Sequence, residues 1–191
     1  MDGETGGTRP FPQPFLVTLP GVYPPQSDTR LLLAALERER VGPGTAVPDV
    51  GTGSGAPAVR AAQPGCEVAA VDVALRAVIA ARLDAMLRRG GSRAWNAGSD
   101  GRAVVDRLCT AVPSMLRRGG GVLLLVHSGL CDADVTLDRL RRAGLNAAVS
   151  SRARIPFGPV LLSRLRWLRE RRLIRTDGTN EELVVIRAER P

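Results

Sequence analysis

Short apolar runs alternate with longer stretches of helical spacing along this chain, and the alternation predicts its architecture. The apolar runs predict strands at 45–50, 66–73, 119–128, 145–155 and 181–190. Between them, apolar residues recur at intervals of three or four and predict helices at 26–40, from 56 to about 63, and at 75–89, 101–118, 132–143 and 159–173. Strands that alternate with helices of this length predict an α/β fold with a mostly parallel sheet.

The first residues differ in composition from the rest, which predicts where the folded domain begins. Six of the 14 prolines lie within the first 25 residues, so we expect an extended arm over 1–26 and a single domain over 27–191. Ser27 or Asp28 is placed to cap the first helix. In the helix at 101–118, the residues expected to face the core are Val104, Val105, Leu108, Val112, Met115 and Leu116.

The composition is ordinary for a globular protein of 191 residues, with 44% hydrophobic and 24% charged residues. No apolar run approaches the roughly 20 residues that a membrane span needs. The N-terminus lacks a basic region followed by an apolar core, so we expect no secretory signal. A cytoplasmic location without a membrane partner is the resulting expectation.

The net charge of +8 raises the question of a nucleic-acid partner. All 27 basic residues are arginine, which together with abundant Ala, Gly and Val is typical of GC-rich coding. The arginines are scattered, and a mild concentration at 163–175 is interpreted as a solvated helix face. The few aromatic residues are too dispersed to suggest a base-stacking platform. Nucleic acid is therefore not expected to be the main partner.

The cysteines and the one histidine of the chain do not form a metal-binding pattern. Cys66, Cys109 and Cys131 have no CxxC or Cys/His spacing, and their odd number favours reduced thiols. His127 follows an apolar run, where a structural or surface histidine is expected. The sequence therefore predicts no metal site.

A glycine-rich stretch, PDVGTGSGA at 48–56, joins a predicted strand to a predicted helix. Gly51, Gly53 and Gly55 allow backbone conformations closed to other residues and the close approach of a ligand. Their spacing is GxGxG, not the GxGxxG of dinucleotide sites, and Asp49 precedes it. A carboxylate at this place would repel a pyrophosphate but suits a cationic amino-acid group.

The second predicted strand ends in another acid, Asp72, positioned like an acid that binds a ribose hydroxyl pair in Rossmann-like folds. The glycine loop, the acid before it and this second acid together describe a site for S-adenosyl-L-methionine. The alternative is that the glycines form only a flexible turn.

Several segments together resemble the HemK-related methyltransferases. They are LPGVYPPQSDTRLLLAAL, PDVGTGSGA, VAAVDVALRAVIAARLDA, NAGSDGRAVVDRLCTAVPSMLRRGGGVLLLVHS and EELVVIRA, and the resemblance covers about residues 15–190. It implies a class I, S-adenosyl-L-methionine-dependent enzyme with a Rossmann-like, mostly parallel sheet and an antiparallel C-terminal strand. Several such enzymes methylate glutamine side chains of translation release factors, so the resemblance implies a protein substrate of this kind.

The resemblance also implies roles for particular residues. Thr29 would lie near the methionine end of the cofactor, and Asp72 would hold the ribose. Alternatively, Thr29 is only a helix cap. The residues implied to form the cofactor cradle are Asp49, Gly51, Thr52, Gly53 and Gly55.

Two strands of such enzymes, and the Asn-Pro-Pro-Tyr motif that ends the second, have no counterpart in this sequence. Asn96 lacks the prolines and is not interpreted as catalytic. An amide nitrogen is a poor nucleophile that must be oriented toward the methyl carbon, so the loss should lower the rate by several orders of magnitude. We therefore assign no catalytic residue and keep two main hypotheses, a methyltransferase of impaired activity or a non-catalytic relative that binds S-adenosyl-L-methionine or a protein. A third, a basic nucleic-acid-binding module, is poorly supported by the scattered arginines.

The gap in the sheet has consequences for its neighbours. The strands at 45–50 and 119–128 should pair directly or leave a slot with exposed apolar edges, which would favour self-association. Pro48 lacks a backbone N–H and would be tolerated if its strand has a free edge. The alternative for Pro48 is drift without selection.

Overall fold

The computed structural model describes residues 25–71, 102–174 and 177–191, which form α-helices, strands and one 3₁₀ turn. In chain order these elements are α1 (Ser27–Leu36), β1 (Ala46–Val50), α2 (Ala56–Ala62), β2 (Glu67–Val71), α3 (Ala103–Met115), β3 (Gly121–Ser128), the 3₁₀ turn (Gly129–Cys131), α4 (Ala133–Arg142), β4 (Asn146–Pro156), α5 (Pro159–Ser163), α6 (Leu165–Glu170) and β5 (Asn180–Arg190). The predicted helix at 75–89 and the predicted arm up to residue 24 lie outside the described residues.

The described strands form two sheets of different topology. β1 and β2 pair in parallel, from Ala46 opposite Glu67 to Val50 opposite Val71. The second sheet has the order β3-β5-β4, and β5 is antiparallel to both neighbours. β3 and β4 therefore run in the same direction, and the C-terminal strand is the reversed one between them. The predicted α/β class with an antiparallel C-terminal strand is confirmed.

The main core lies between the three-stranded sheet and the helices α3 and α4. Leu140 of α4 and Val184 and Ile186 of β5 are 0% exposed, and Leu125 of β3 packs in the same cluster. Burying each such side chain stabilises the fold by about 1.5–3 kcal/mol. This core fixes the carboxyl ends of β3 and β4 relative to each other.

Local sequence explains where α4 begins and ends. The Asp132 side chain accepts hydrogen bonds from the backbone N–H groups of Asp134 and Val135, at 3.0 and 3.1 Å, and so caps the helix. Gly144 has a φ of +84°, and the Leu145 N–H returns to the Leu140 carbonyl at 3.1 Å. This is the Schellman ending that glycine favours.

Helix α1 joins the two sheets. It contacts α2 on one side and β3, β4 and β5 on the other. Glu37, just after α1, pairs with Arg60 of α2 at 3.3 Å, and Glu39 pairs with Arg187 of β5 at 2.7 Å. The position of α1 thereby sets how the β1–β2 sheet lies relative to the three-stranded sheet.

Some details of the sequence prediction were wrong. The N-cap of α1 is Gln26, without a side-chain capping hydrogen bond, because the helix begins at Ser27 itself. Val104 and Met115 were expected in the core but are 51% and 57% exposed. The buried residues of α3 are Val105, Cys109 and Val112, and both exposed positions lie beside this stripe, not on it.

Of the two predicted alternatives for β1 and β3, direct pairing is not observed, since within the described residues the two strands belong to separate sheets. β1 pairs only with β2 there, so Pro48 lies in an edge strand, where a missing N–H costs no ladder hydrogen bond. None of the helices in the described ranges is long and apolar enough to span a membrane.

Candidate functional site

The loop between β1 and α2 requires its three glycines. Gly51, Gly53 and Gly55 have φ angles of +77°, +50° and +80°, in the left-handed region. An L-residue in this conformation costs roughly 1–2 kcal/mol. A Cβ atom added at Gly51 would meet nothing within 4 Å, so backbone conformation, not packing, demands glycine there. The same open space allows a ligand to approach the backbone closely.

Backbone hydrogen bonds fix this loop against β2. The N–H groups of Gly51 and Thr52 both donate to the Val71 carbonyl, at 2.7 and 3.2 Å. The Gly55 N–H donates to the Thr52 carbonyl at 2.7 Å, which closes the turn that leads into α2. The loop is thus held on both sides before any ligand binds, and a preorganised loop lowers the entropic cost of binding.

Asp49 has a structural role that the sequence analysis missed. Its Oδ2 accepts a hydrogen bond from the Thr52 hydroxyl at 2.7 Å and another from the Ala58 N–H at 3.1 Å. Thr52 is only 4% exposed, so its hydroxyl depends on this acceptor. The sequence signal for this contact is the spacing of Asp49 and Thr52, because an acid often accepts a hydrogen bond from a residue two or three positions later in a turn.

Thr29 lies in the first turn of α1 and is not its cap. Its N–H donates to Asp28 Oδ1 at 2.7 Å, and its hydroxyl donates to the same oxygen at 3.3 Å. Helix α1 contacts α2, and Glu37, just after α1, pairs with Arg60 of α2 at 3.3 Å. Thr29 therefore lies on a helix that neighbours α2.

The structure places Asp49 near the end of β1, Gly51, Thr52, Gly53 and Gly55 in the loop that follows, and Thr29 at the start of α1. Asp72, the predicted ribose-binding acid, lies outside the described residues. Its neighbour Val71 supplies the carbonyl that holds the loop. Sequence reasoning thus identified the loop but not the internal contacts that shape it.

A second polar group lies at the carboxyl ends of β3 and β4. Burial raises the pKa of Glu181 above its usual range, a hydrogen bond from the Ser128 side chain partly opposes this rise, and the negative charge of Asp28 adds to it. Glu181 borders a cleft of about 490 Å³ whose walls include Leu130 and Phe157. No sequence motif indicated this carboxylate, because Ser128 and Asp28, which act on it, come from distant segments.

The histidine and the cysteines are described by their burial and their contacts. His127 is buried, its Nδ1 lies 2.8 Å from the Ser128 carbonyl oxygen, and burial lowers its pKa. Burial raises the pKa of the Cys109 thiol, and Cys66, Cys109 and Cys131 form no disulfide. In the three ranges that the structure covers, no group of three or more His, Cys, Asp or Glu side chains could hold a metal ion.

Comparison of the chain with known proteins gives matches to methyltransferases. No protein-family model matches the chain. A curated protein of Methanocaldococcus jannaschii, provisionally described as a protein N5-glutamine methyltransferase, is 30% identical over 69 residues. This match covers 36% of the chain and 34% of the relative, so the chain spans about a third of the curated relative's length.

Solved structures match over most of the chain. The E. cuniculi Mtq2–Trm112 complex, responsible for methylation of the eRF1 translation termination factor, matches with a TM-score of 0.59 and 22% identity over 89% of this chain and 99% of that one. A release-factor-specific protein-(glutamine-N5) methyltransferase of Alicyclobacillus acidocaldarius matches with a TM-score of 0.51 and 23% identity, covering 87% and 94% of the two chains.

A precorrin-6y C5,15-methyltransferase of Geobacter metallireducens, with 14% identity, has a TM-score of 0.57 and covers 90% and 93% of the two chains. These likenesses confirm the methyltransferase fold, and the match to the curated relative confirms the resemblance that the sequence motifs indicated. Class I methyltransferases use S-adenosyl-L-methionine.

Proposed function

We propose that this chain binds S-adenosyl-L-methionine at the loop from Asp49 to Gly55 and acts as a HemK-related methyltransferase on a protein glutamine side chain. The observation that carries the proposal is the geometry of this loop. All three glycines have left-handed φ angles, the backbone at Gly51 is exposed with open space beside it, and the preceding acid shapes the loop from within. The methyltransferase fold supports the same cofactor.

The residues present fit this cofactor. The Asp49 carboxylate suits its cationic amino group, and the missing side chain at Gly51 gives its methionine half room against the backbone. In this proposal Thr52, Gly53 and Gly55 would complete the cradle, Thr29 would lie near the methionine end, and Asp72 would hold the ribose hydroxyls. When bound, the cofactor supplies an activated methyl group on a sulfonium.

The substrate proposal rests on the proteins that this chain resembles. The Mtq2–Trm112 complex is described as responsible for methylation of a translation termination factor, and the A. acidocaldarius enzyme as release-factor-specific. We infer that the substrate is a release-factor glutamine. The chain has no Asn-Pro-Pro-Tyr motif to orient the amide nitrogen, so methyl transfer is expected to be several orders of magnitude slower than with the motif.

The second candidate function is a non-catalytic relative that binds S-adenosyl-L-methionine or a protein without turnover. The observation that favours it is the same missing motif. Both candidates share the cofactor cradle, so a binding measurement tests what they have in common. A measurement of methyl transfer then separates them.

The binding experiment is a calorimetric titration of the full chain with S-adenosyl-L-methionine. Asp49→Asn keeps an acceptor oxygen for Thr52 and Ala58 but removes the charge, and Asp49→Ala removes both. A hydrogen bond to a charged group contributes about 1.5–3 kcal/mol, so Asp49→Asn should weaken binding by roughly tenfold to a hundredfold. Glu67→Gln is the matched control, since Glu67 is an exposed acid at the other end of the β1–β2 sheet.

Saturable binding that Asp49→Asn weakens and Glu67→Gln leaves unchanged would support the cradle. Absence of binding by protein with a cooperative unfolding transition would overturn it. Transfer of a labelled methyl group to a release-factor peptide containing glutamine then distinguishes the candidates. Slow incorporation above the enzyme-free rate identifies the methyltransferase, and binding without incorporation identifies the non-catalytic relative.

A further inference from the structure

Helix α6 and the residues on either side of it carry a concentration of positive charge that the cofactor site does not use. Residues 164–172 include five arginines and one acid, Glu170. We define the arginine patch as Arg164, Arg166, Arg169, Arg171 and Arg172, all of them exposed. Arg166 pairs with Glu170 at 2.9 Å with its side chain 93% exposed, a kind of surface pair that contributes little to stability. Within the described residues, the other four form no ion pair.

The packing of the segment turns these arginines outward. Leu161, Leu165 and Leu168 recur at intervals of four and three and are the more buried side chains, with Leu168 only 5% exposed. One leucine stripe thus holds the segment on the protein, and the charged positions between the leucines remain in solvent. The patch is therefore displayed on an anchored segment.

Aromatic and apolar surface lies among the arginines. Trp167 is 36% exposed, and the Arg171 guanidinium lies 4.9 Å from its ring centroid, which is a cation–π geometry. Leu162 and Leu173 are 52% and 39% exposed on either side. An exposed aromatic ring within a cluster of arginines is the combination that single-stranded nucleic acid recognises, since phosphates contact the charges and a base stacks on the ring.

Arg172 occupies a backbone position where glycine would fit better. Its φ is +54°, and α6 ends in a Schellman motif, because the Leu173 N–H donates to the Leu168 carbonyl and the Arg172 N–H to the Arg169 carbonyl, each at 2.9 Å. Helix α4 ends with the same hydrogen bonds and has Gly144 at the equivalent position. Arg172 thus adds a charge to the patch at a position where an L-residue is strained.

We propose that the arginine patch and Trp167 form a binding surface for single-stranded nucleic acid. The patch binds the phosphate backbone, and the exposed part of the Trp167 ring contacts a base. A membrane surface fits less well, because the exposed apolar side chains are separated by arginines and form no continuous apolar face. This surface would extend the function beyond methyl transfer and would give the solvated arginine-rich face expected at 163–175 a partner.

The experiment measures binding of fluorescein-labelled single-stranded RNA and DNA of about 15 nucleotides to the full chain by fluorescence anisotropy, between about 50 and 200 mM salt. Each phosphate contact contributes about 0.7 to the slope of log affinity against log salt, so four to five arginine contacts predict a slope of about −3. Comparison of RNA with DNA shows which of the two the surface binds. Binding of either one that is weakened by changes in the arginine patch supports the proposal.

Matched variants locate the surface. Arg166→Gln should reduce the slope by about 0.7. Arg142→Gln, the control, should leave it unchanged, since Arg142 on α4 is also exposed and paired with an acid four residues away. Trp167→Ala should lower affinity at every salt concentration without changing the slope.

Arg172→Gly separates binding from folding. The glycine relieves the left-handed strain, so the thermal midpoint should rise or stay constant while the salt slope falls by about 0.7. Equal effects of Arg166→Gln and Arg142→Gln would overturn the proposal by showing diffuse charge attraction. So would a salt-independent affinity, or preferential binding to anionic phospholipid vesicles.

Discussion

The hydrogen bond from Thr52 to Asp49 makes a quantitative prediction about the glycine loop. Thr52→Val keeps the shape of the side chain but removes the hydroxyl that donates to Asp49 Oδ2 at 2.7 Å. Because Thr52 is 4% exposed, the lost bond is not replaced by water, and the free energy of unfolding should fall by about 1.5–3 kcal/mol.

Asp49→Ala should cost more than Thr52→Val alone. It removes the acceptor for both the Thr52 hydroxyl and the Ala58 N–H, and it leaves a buried hydroxyl without a partner. In that background Thr52→Val removes the stranded hydroxyl, so its further cost should be within about 0.5 kcal/mol of zero. The coupling energy between the two positions should then be about 1–3 kcal/mol.

Urea unfolding followed by circular dichroism measures this cycle. With an m-value of about 2 kcal/mol/M, a loss of about 2 kcal/mol lowers the unfolding midpoint by about 1 M. Thr110→Val is the control, because the Thr110 hydroxyl donates to the Asp106 carbonyl on an exposed part of α3, where about 0.5 kcal/mol or less is expected. Additive effects of the two changes would refute the role assigned to Asp49 within the loop.

Two further predictions concern the second sheet. Leu140→Ala creates a cavity at a fully buried position and should lower the free energy of unfolding by about 2–5 kcal/mol. Val135→Ala, at a 38% exposed position of the same helix, should lower it by less than about 1 kcal/mol. Similar urea midpoints for the two variants would contradict the packing described. Burial holds the pKa of His127 below 6.5 in the folded chain, so the unfolded chain takes up the proton first and stability is lost as pH falls below about 6.5. His127→Leu should flatten the plot of unfolding free energy against pH between about 7.5 and 5, and an unchanged plot would show that another group causes the loss.

The periodicity of the sequence was sufficient to predict most of the elements. Apolar runs located β1, β2, β3, β4 and β5, because strands of this length carry their signal in consecutive residues. The glycine loop was predictable for a similar reason, since only glycine readily adopts the φ angles found at Gly51, Gly53 and Gly55.

What the sequence could not predict depends on contacts between distant segments. Asp28 and Ser128 both act on Glu181 at one edge of the fold, yet Asp28 and Ser128 are 100 residues apart in the sequence and Ser128 and Glu181 are 53 apart. The division into two sheets also depends on long-range pairing, which a run of apolar residues does not specify. The Schellman ending at Arg172 was hidden because sequence rules expect glycine there.

The central claim is that the loop from Asp49 to Gly55 is the cofactor cradle, and nuclear magnetic resonance tests it most directly. Uniformly ¹⁵N-labelled full chain is titrated with S-adenosyl-L-methionine, and the backbone amide resonances are followed residue by residue. We predict saturable shifts, with one common dissociation constant, at the amides of Gly51, Thr52, Gly53 and Gly55. Saturation that moves only amides of α4 or β4, or no shift in any of these glycine amides, would contradict the account.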